Sequence, residues 1–278
     1  MPLIAFWLNP LRIAFSFLTL VPASRGLNLS QRDISNSRAF YPAVGLLLGL
    51  LLVGVEEGAS RAFPIHLTAA LLLAVTVAFT RALHLDGLMD VCDGLFGGYT
   101  PERRLEIMKD SHVGAFGVAG GVTVLILKYG ALVSLLGLEG PGKEWALLLF
   151  PALSRWAMVV ALGAFPYARD NGLGSPFHRI TQGGQGGQSG AKLATMTAAL
   201  TAVAAGFLLG GFAGLGLAAG FTLLAAGLGW AMSKSLGGLT GDTYGAINEI
   251  SEVAVLAAAV ILASHKWLEP LPELLGRF

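Results

Sequence analysis

Three aspartates, Asp86, Asp90 and Asp93, are spaced so that they could act together on one ion or substrate. Their i, i+4 and i+7 spacing places all three carboxylates on one narrow face of a helix. That helix continues the end of a strongly apolar segment, where uncompensated charge is expensive. Crowded carboxylates repel one another unless a cation holds them, and ligands that are all oxygens favour a hard cation. The spacing therefore predicts a metal site at a membrane edge, for Mg²⁺ before Mn²⁺ or Ca²⁺.

A second acidic group follows much later in the chain. Asp242, Glu249 and Glu252 stand at i, i+7 and i+10, within about 80° on a helical wheel. Glu249 and Glu252 open a predicted span, where a helix-capping or helix-dipole role is the simplest explanation. With Asn248, two acids at membrane depth exceed what a cap requires, and we favour a functional role.

Composition identifies an integral membrane protein. Hydrophobic residues make up 54% of the 278 positions and charged residues 13%, with a mean hydropathy of +0.69. Soluble domains carry about 25% charged residues. The net charge of +1 gives no indication of a nucleic-acid partner, and the single cysteine, Cys92, cannot form an internal disulfide.

The predicted fold class is all-α, with residues 1–278 forming a single polytopic membrane domain. The apolar start lacks a basic n-region and a small-residue cleavage site, so we expect a helix lying at the membrane interface there, not a signal peptide. Thr100 and Pro101 begin a predicted short amphipathic helix, as N-cap and first helical residue. Seven transmembrane spans are predicted, at residues 41–57, 65–83, 113–137, 145–165, 192–210, 212–233 and 245–264.

The distribution of Lys and Arg orients these spans. With alternating crossings, twelve of the eighteen basic residues fall on the side of the N-terminus and four on the other side. That asymmetry makes the first side cytoplasmic. The three loops richest in polar, glycine and acidic residues, 84–112, 166–191 and 234–244, all fall on this side. Polar and acidic loops that all lie on the cytoplasmic side of the membrane are typical of an enzyme that faces the cytosol.

These loops carry cations as well as acids. The two-helix hairpin in the first loop is expected to return Lys109, Asp110 and His112 toward the aspartates. In the second loop, Arg169 and Asn171 precede glycines that let backbone amides approach an anion. Acids and cations facing one cavity suit phosphoryl transfer, in which metals bridge a pyrophosphate and cations take the developing charge. Walker-loop, G-x-S-x-G and H-E-x-x-H motifs are absent from the sequence.

Four stretches resemble one enzyme family in the same order along the chain. The stretches are HLDGLMDVCDGL, ERRLEIMKDSHVGAFG, YARDNGLG and GGLTGDTYGAINEISE, and FLTLVPAS near the start is also similar. They resemble cobalamin synthase, the adenosylcobinamide-GDP ribazoletransferase family. The resemblance implies a Mg²⁺-dependent enzyme of the cell inner membrane. Such an enzyme joins α-ribazole, or its 5′-phosphate, to adenosylcobinamide-GDP and releases GMP in the last steps of cobalamin biosynthesis.

The resemblance also implies roles for the polar residues. Asp110 or Glu249 is the candidate base, and Lys109 is a candidate for charge on the leaving group, as are Arg103 and Arg169. The predicted metal ligands are Asp86, Asp90, Asp93, Asp242 and Glu252. The predicted substrate-binding residues are His84, Arg103, Arg169, Asn171 and His112.

Other interpretations remain open from the sequence. Asp90, Asp93 and Gly94 also resemble the spaced-aspartate motif of CDP-alcohol phosphotransferases, although its later acids are missing at the usual spacing. A prenyltransferase with an acidic pyrophosphate-binding motif is more remote. A secondary transporter could use intramembrane acids to bind coupling ions, but the two halves show no clear repeat. Glycines in 206–220 make a helix–helix interface, and hence a homo-oligomer, plausible.

Overall fold

The protein, known here from a computed structural model, folds into helices throughout the described residues, which are 3–140, 142–169, 177, 185–265 and 267. A 3₁₀ turn at Ser37–Phe40 joins α2 to α3. The α-helices are α1 Leu3–Leu18, α2 Gln31–Asn36, α3 Tyr41–Ala59, α4 Ile65–Phe79, α5 Leu83–Gly97, α6 Pro101–Ile107, α7 Ala115–Leu136, α8 Gly142–Ala164, α9 Gln185–Leu236 and α10 Gly241–Ser264.

The predicted class, a polytopic helical membrane protein, is confirmed. Within the described residues, five helical stretches are long and apolar enough to cross a membrane, and the bent pair α4–α5 could make a sixth. The five stretches are Gln31–Ala59, Ala115–Leu136, Gly142–Ala164, Gln188–Leu236 and Gly241–Ser264.

The predicted span 65–83 is wrong at its C-terminal end. Helix α4 stops at Phe79, and α5 leaves it at an angle of 85°. Arg81 and Ala82 between them both have left-handed backbones, with φ of 55° and 54°. A right-handed helix cannot continue through two such residues. The aspartates therefore lie on a separate, re-aimed helix and not on a straight extension of the span.

The predicted division near residues 210–214 corresponds to a break inside α9. Gly211 has φ 56° and ψ −140°, which is not helical. A Cβ placed on Gly206 would lie 2.7 Å from the carbonyl oxygen of Gly214, so the chains on the two sides of the break touch. Eight residues of straight helix would separate those glycines by about 12 Å. The two arms thus fold against each other, while the total of seven crossings stays a prediction.

Helix α8 is the centre of the bundle. It contacts α3, α9 and α10, and most of its side chains are buried. Two glycines of α3 permit its close approach, because a Cβ at Gly49 would lie 2.7 Å from Leu148 Cα, and a Cβ at Gly45 would collide with the carbonyl of Pro151. Small residues at helix crossings are how membrane helices gain packing contacts.

Helix α6 begins as predicted. The Thr100 side chain accepts a hydrogen bond from the backbone N–H of Arg103, and Pro101 occupies the first helical position. Helix α1 packs on the 3₁₀ turn through Trp7 and Phe40, whose ring centroids lie 5.9 Å apart.

We expect Gly45→Ala to destabilise the protein by about 1–3 kcal/mol, because the added methyl group overpacks the contact between α3 and α8. Gly54→Ala is the matched control on the same helix, since a Cβ there meets nothing within 4 Å. Thermal unfolding of detergent-purified protein should show a lower Tm for the first variant only. Equal Tm values for the two variants would contradict the close crossing.

Candidate active site

The candidate site is a chamber of about 300 Å³ between α5 and α10, which we call the main chamber. Asp86 and His84 reach it from α5, and Asp242 and Tyr244 from α10. Arg169 lines it from the segment that follows α8. The chamber brings together residues from all three predicted polar loops.

Glycines set the crossing of α5 and α10. A Cβ on Gly87 would lie 2.7 Å from the carbonyl oxygen of Asp242, and a Cβ on Gly245 would lie 2.9 Å from that of His84. Each helix therefore places a glycine backbone against the backbone of the other helix. The two glycine contacts lie about one helical turn apart. This crossing places the first residues of both acidic groups side by side, as the sequence-based mechanism required.

The start of α10 is fixed by local hydrogen bonds. Thr240 and Thr243 form a capping box, in which each side chain bonds the other's backbone N–H. Just before it, Leu239 bonds the chain on both sides of Tyr167, donating to Pro166 O and accepting from Ala168 N at 2.8 Å each. This bridge holds the chain around Tyr167 against the start of α10.

Because of that bridge, Arg169 reaches Asp242. Their Nη2 and Oδ2 atoms lie 3.1 Å apart, with the two side chains 16% and 23% exposed. Nε and Nη2 of Arg169 are buried and donate no hydrogen bond among the described residues, so the guanidinium has donors left for an anionic ligand in the chamber. Asn171, predicted to bind substrate nearby, lies outside the described residues.

Asp90 lies one turn beyond Asp86 and is half-buried. Burial and the nearby carboxylates of Asp242, Asp86 and Asp93 disfavour its charged form, and Arg169 is the described cation that offsets them. Among the described residues, no three His, Cys, Asp or Glu side chains converge closely enough to hold a metal ion by themselves. Mg²⁺, however, commonly takes one or two carboxylates together with waters and substrate phosphates. Asp86 and Asp242, which both line the main chamber, fit that kind of site, and Asp90 lies one turn further along α5.

Asp93 has a different environment. Its two carboxylate oxygens accept hydrogen bonds from the backbone N–H groups of Gly114 at 2.7 Å and Gly117 at 2.8 Å. These amides open α7, whose positive end stabilises an acid. The geometry explains Asp93 as a cap that ties α7 to α5, and gives no support to the prediction that it binds metal.

Glu249 and Glu252 lie in a buried ion cluster, which corrects their predicted placement at the opening of the last span. Lys128 of α7 donates to Glu249 at 2.7 Å and also to Glu252. Arg155 of α8 donates to the other oxygen of Glu252. Asn248 donates to that same oxygen at 3.1 Å.

The cluster contains two acids and two cations, and all four charged side chains are at most 8% exposed. Charges removed from water persist when they are paired and hydrogen-bonded. With these partners, the predicted metal role of Glu252 and the predicted base role of Glu249 have no support from the geometry. The pairing of these acids with Lys128 and Arg155 was not predicted from the sequence, although basic residues inside apolar spans were the available signal.

His84 lies between this cluster and the main chamber. Its side chain is 2% exposed, and neither ring nitrogen has a hydrogen-bond partner among the described residues. A buried imidazole normally bonds through at least one nitrogen. His84 is therefore available to a ligand in the chamber, in keeping with the predicted substrate-binding role.

Arg103, Asp110 and His112 line a separate cleft of about 460 Å³ beside α6. Arg103 pairs with Glu106 at 2.6 Å, and Lys109 is exposed and does not line this cleft or the main chamber. Asp110 accepts hydrogen bonds from the backbone and ring of His112, at 3.0 and 2.7 Å. These bonds lower the pKa of Asp110, which weakens it as a base. The hairpin returns toward Asp93, which lines the cleft, and not into the main chamber.

The sequence matches the model of the cobalamin-5-phosphate synthase family over residues 10–260. The chain belongs to this family. No solved structure matches it.

Three relatives described as adenosylcobinamide-GDP ribazoletransferase illustrate the similarity. The protein from Desulfitobacterium hafniense (strain Y51) is 40% identical over 252 residues, covering 91% of this chain and 96% of the relative. That from Syntrophobacter fumaroxidans is 42% identical over 260 residues, or 90% and 97% of the two chains. That from Stutzerimonas stutzeri is 43% identical over 259 residues, or 91% and 98%.

For this member of the family, we expect Lys128→Met to be destabilising by about 3–5 kcal/mol, because it leaves two buried carboxylates with one cation. The double variant Lys128→Met, Glu249→Gln should recover part of the loss, since it removes one of those charges. Arg61→Gln is the control, because its pair with Glu57 is exposed and contributes little. Thermal unfolding in detergent measures all three. A double variant no more stable than Lys128→Met would contradict the proposed pairing.

Proposed function

We propose that this protein transfers the cobinamide phosphoryl group of adenosylcobinamide-GDP to α-ribazole or α-ribazole 5′-phosphate and releases GMP. The supporting observation is the main chamber, where carboxylates of α5 and α10 meet the guanidinium of Arg169. Phosphoryl transfer needs both kinds of group, to hold a metal and to balance the charge of the departing phosphate. The relatives' name supplies the substrates.

In this proposal Asp86 and Asp242, with Asp90 one turn away, would hold Mg²⁺ together with the phosphates of the substrate, since among the described residues no three acids converge on an ion by themselves. When bound, the ion would supply positive charge that stabilises the negative charge developing on the pyrophosphate. The carboxylates' own role is to fix its position at the crossing of the two helices. Their mutual repulsion without a cation is the physical reason for expecting one.

Arg169 would contact the pyrophosphate directly, since its guanidinium lies beside Asp242 at the main chamber and two of its nitrogens donate no hydrogen bond among the described residues. A planar guanidinium suits a phosphate because two N–H donors can meet two oxygens. In the reaction, the ribazole 3′-hydroxyl gives up its proton to water as its oxygen forms a bond to the phosphorus attached to cobinamide. The bond from that phosphorus to the oxygen bridging to GMP breaks, and GMP carries away the negative charge. His84 would position a substrate group by hydrogen bonding.

We place the protein in the cell inner membrane with the main chamber on the cytoplasmic side. Lys and Arg are concentrated in the loops on that side, as the positive-inside rule requires. Nucleotide substrates are also supplied from the cytoplasm. A phosphotransferase for CDP-alcohols and a transporter are not favoured, because the family match covers residues 10–260 and the relatives carry another name.

Purified protein given adenosylcobinamide-GDP, α-ribazole or its phosphate, and Mg²⁺ should release GMP, as measured by chromatography. Chelation with EDTA should stop the release, and added Mg²⁺ should restore it. The control omits the ribazole acceptor and detects hydrolysis. No GMP in the complete mixture would reject the proposed function, whereas release unaffected by EDTA would reject only the metal.

Asp90→Asn should lower kcat by at least about 100-fold and should leave the Tm unchanged or higher, because it removes a ligand together with a source of repulsion. Glu139→Gln, at an exposed acid beyond the end of α7, is the control and should alter neither value. Parallel assays of GMP release and thermal unfolding separate the two effects. A lower Tm together with near-normal turnover would assign Asp90 a structural role.

A further inference from the structure

A second and larger cavity, of about 840 Å³, borders the main chamber, and we call it the side chamber. Its walls come from the C-terminal half of α8, the segment Phe165–Tyr167 and the first arm of α9. Leu162 and Tyr167 line both chambers. A ligand in the side chamber could therefore extend a group past these two residues into the main chamber.

The side chamber has cations but no acids among its described lining residues. Arg38 and Lys192 line it, and the other lining residues are apolar or uncharged. Lys192 is exposed, and in the described part of the chain no carboxylate pairs with it. The chamber thus combines an apolar wall with net positive charge.

Arg38 is the unusual member of this lining, since its side chain is 2% exposed. Its Nε donates to Ser35 O at 2.8 Å, and its Nη2 donates to Ser35 Oγ at 2.8 Å and Phe177 O at 3.2 Å. All these acceptors are neutral. Within the described residues, Nη1 donates no hydrogen bond and no carboxylate pairs with the guanidinium. A buried guanidinium without an anion is costly, and an ionisable group at such a position indicates a functional site.

Aromatic groups surround the cations. Trp156, Phe165 and Tyr167 line the side chamber. The Trp156 ring is held in place because its Nε1 donates to Thr222 Oγ1 at 2.8 Å. Arg38 lies 5.2 Å from the centroid of the Phe177 ring, and Phe177 lines the main chamber. Flat apolar surfaces next to donors for an anion suit an aromatic base that carries a phosphate.

We propose that the side chamber is the acceptor subsite, where Arg38, assisted by Lys192, binds the 5′-phosphate of an aromatic nucleoside monophosphate. The proposal rests on the proposed function and adds to it the place and the residues that bind the acceptor's phosphate, a group that the family's description as cobalamin-5-phosphate synthase already implies. The base lies against the aromatic wall, and the ribose extends between Leu162 and Tyr167. Its hydroxyl then meets the phosphorus in the main chamber.

The test compares kcat/KM for the phosphorylated and unphosphorylated acceptors in one GMP-release assay. The wild type should prefer the phosphorylated acceptor, and Arg38→Gln should reduce that preference by about 10-fold or more, the effect of losing a hydrogen bond to a charged group. Lys192→Glu, on an exposed side chain, should also reduce that preference, by about 5-fold. Arg61→Gln, at a distant exposed ion pair, is the charge control and should keep the preference.

The outcomes separate the two proposals. Wild-type protein that releases no GMP with either acceptor contradicts the proposed function itself. Wild-type activity with an unchanged acceptor preference in Lys192→Glu, and in Arg38→Gln where it folds, contradicts the subsite alone. A phospholipid headgroup carries similar phosphate chemistry, so the assay is repeated with added phosphatidylglycerol vesicles. If the variants change the preference only when those vesicles are present, the chamber holds a lipid and the acceptor subsite is wrong.

Discussion

The close crossing of α5 and α10 is the constraint on which the rest of the structure depends. Gly87 and Gly245 lie against the backbone of the opposite helix, so neither position can carry a side chain without separating the helices. The crossing brings Asp86 and Asp242, 156 positions apart in the sequence, to one chamber. Carboxylates on one helix alone would form only half of a phosphate-binding site. Two glycines therefore have as much effect on the chemistry as the acids themselves.

The buried ion cluster, further along α10, also holds this helix in its position at the crossing. Lys128 and Arg155 join α7 and α8 to two glutamates of α10, and the four charges balance. Charge at that depth is expensive unless the partners are in place, so the cluster disfavours other rotations of α10. Helix α10 therefore carries acids with two different roles. Its N-terminal turn faces the chamber, and its middle turns hold the bundle together.

The mechanism inferred from the sequence required the two acidic groups to meet, and of their members Asp86 and Asp242 do so in the main chamber. The sequence was sufficient for the helical membrane class and for the capped start of α6. These depend on local signals, such as apolar run length and Thr100–Pro101. It did not reveal the 85° bend, because left-handed backbones at Arg81 and Ala82 contradict the preferences of both residue types. The sequence also could not distinguish Asp93 and Glu252, which have structural partners, from the acids that line the main chamber. Equal spacing on a helical wheel says nothing about which acid meets an amide, a lysine or open space.

Metal rescue tests the central claim, that Asp86 and Asp242 share one metal-bound pyrophosphate, most directly. Mg²⁺ prefers carboxylate ligands, whereas thiolates prefer softer ions such as Cd²⁺. Asp86→Cys and Asp242→Cys should therefore each lose GMP release in Mg²⁺. Each should regain part of it when Cd²⁺ is added, while the wild type gains nothing. Asp93→Cys, at the acid that caps α7, should show no rescue. Undiminished release by either chamber variant in Mg²⁺, or rescue of neither by Cd²⁺, would contradict the shared site.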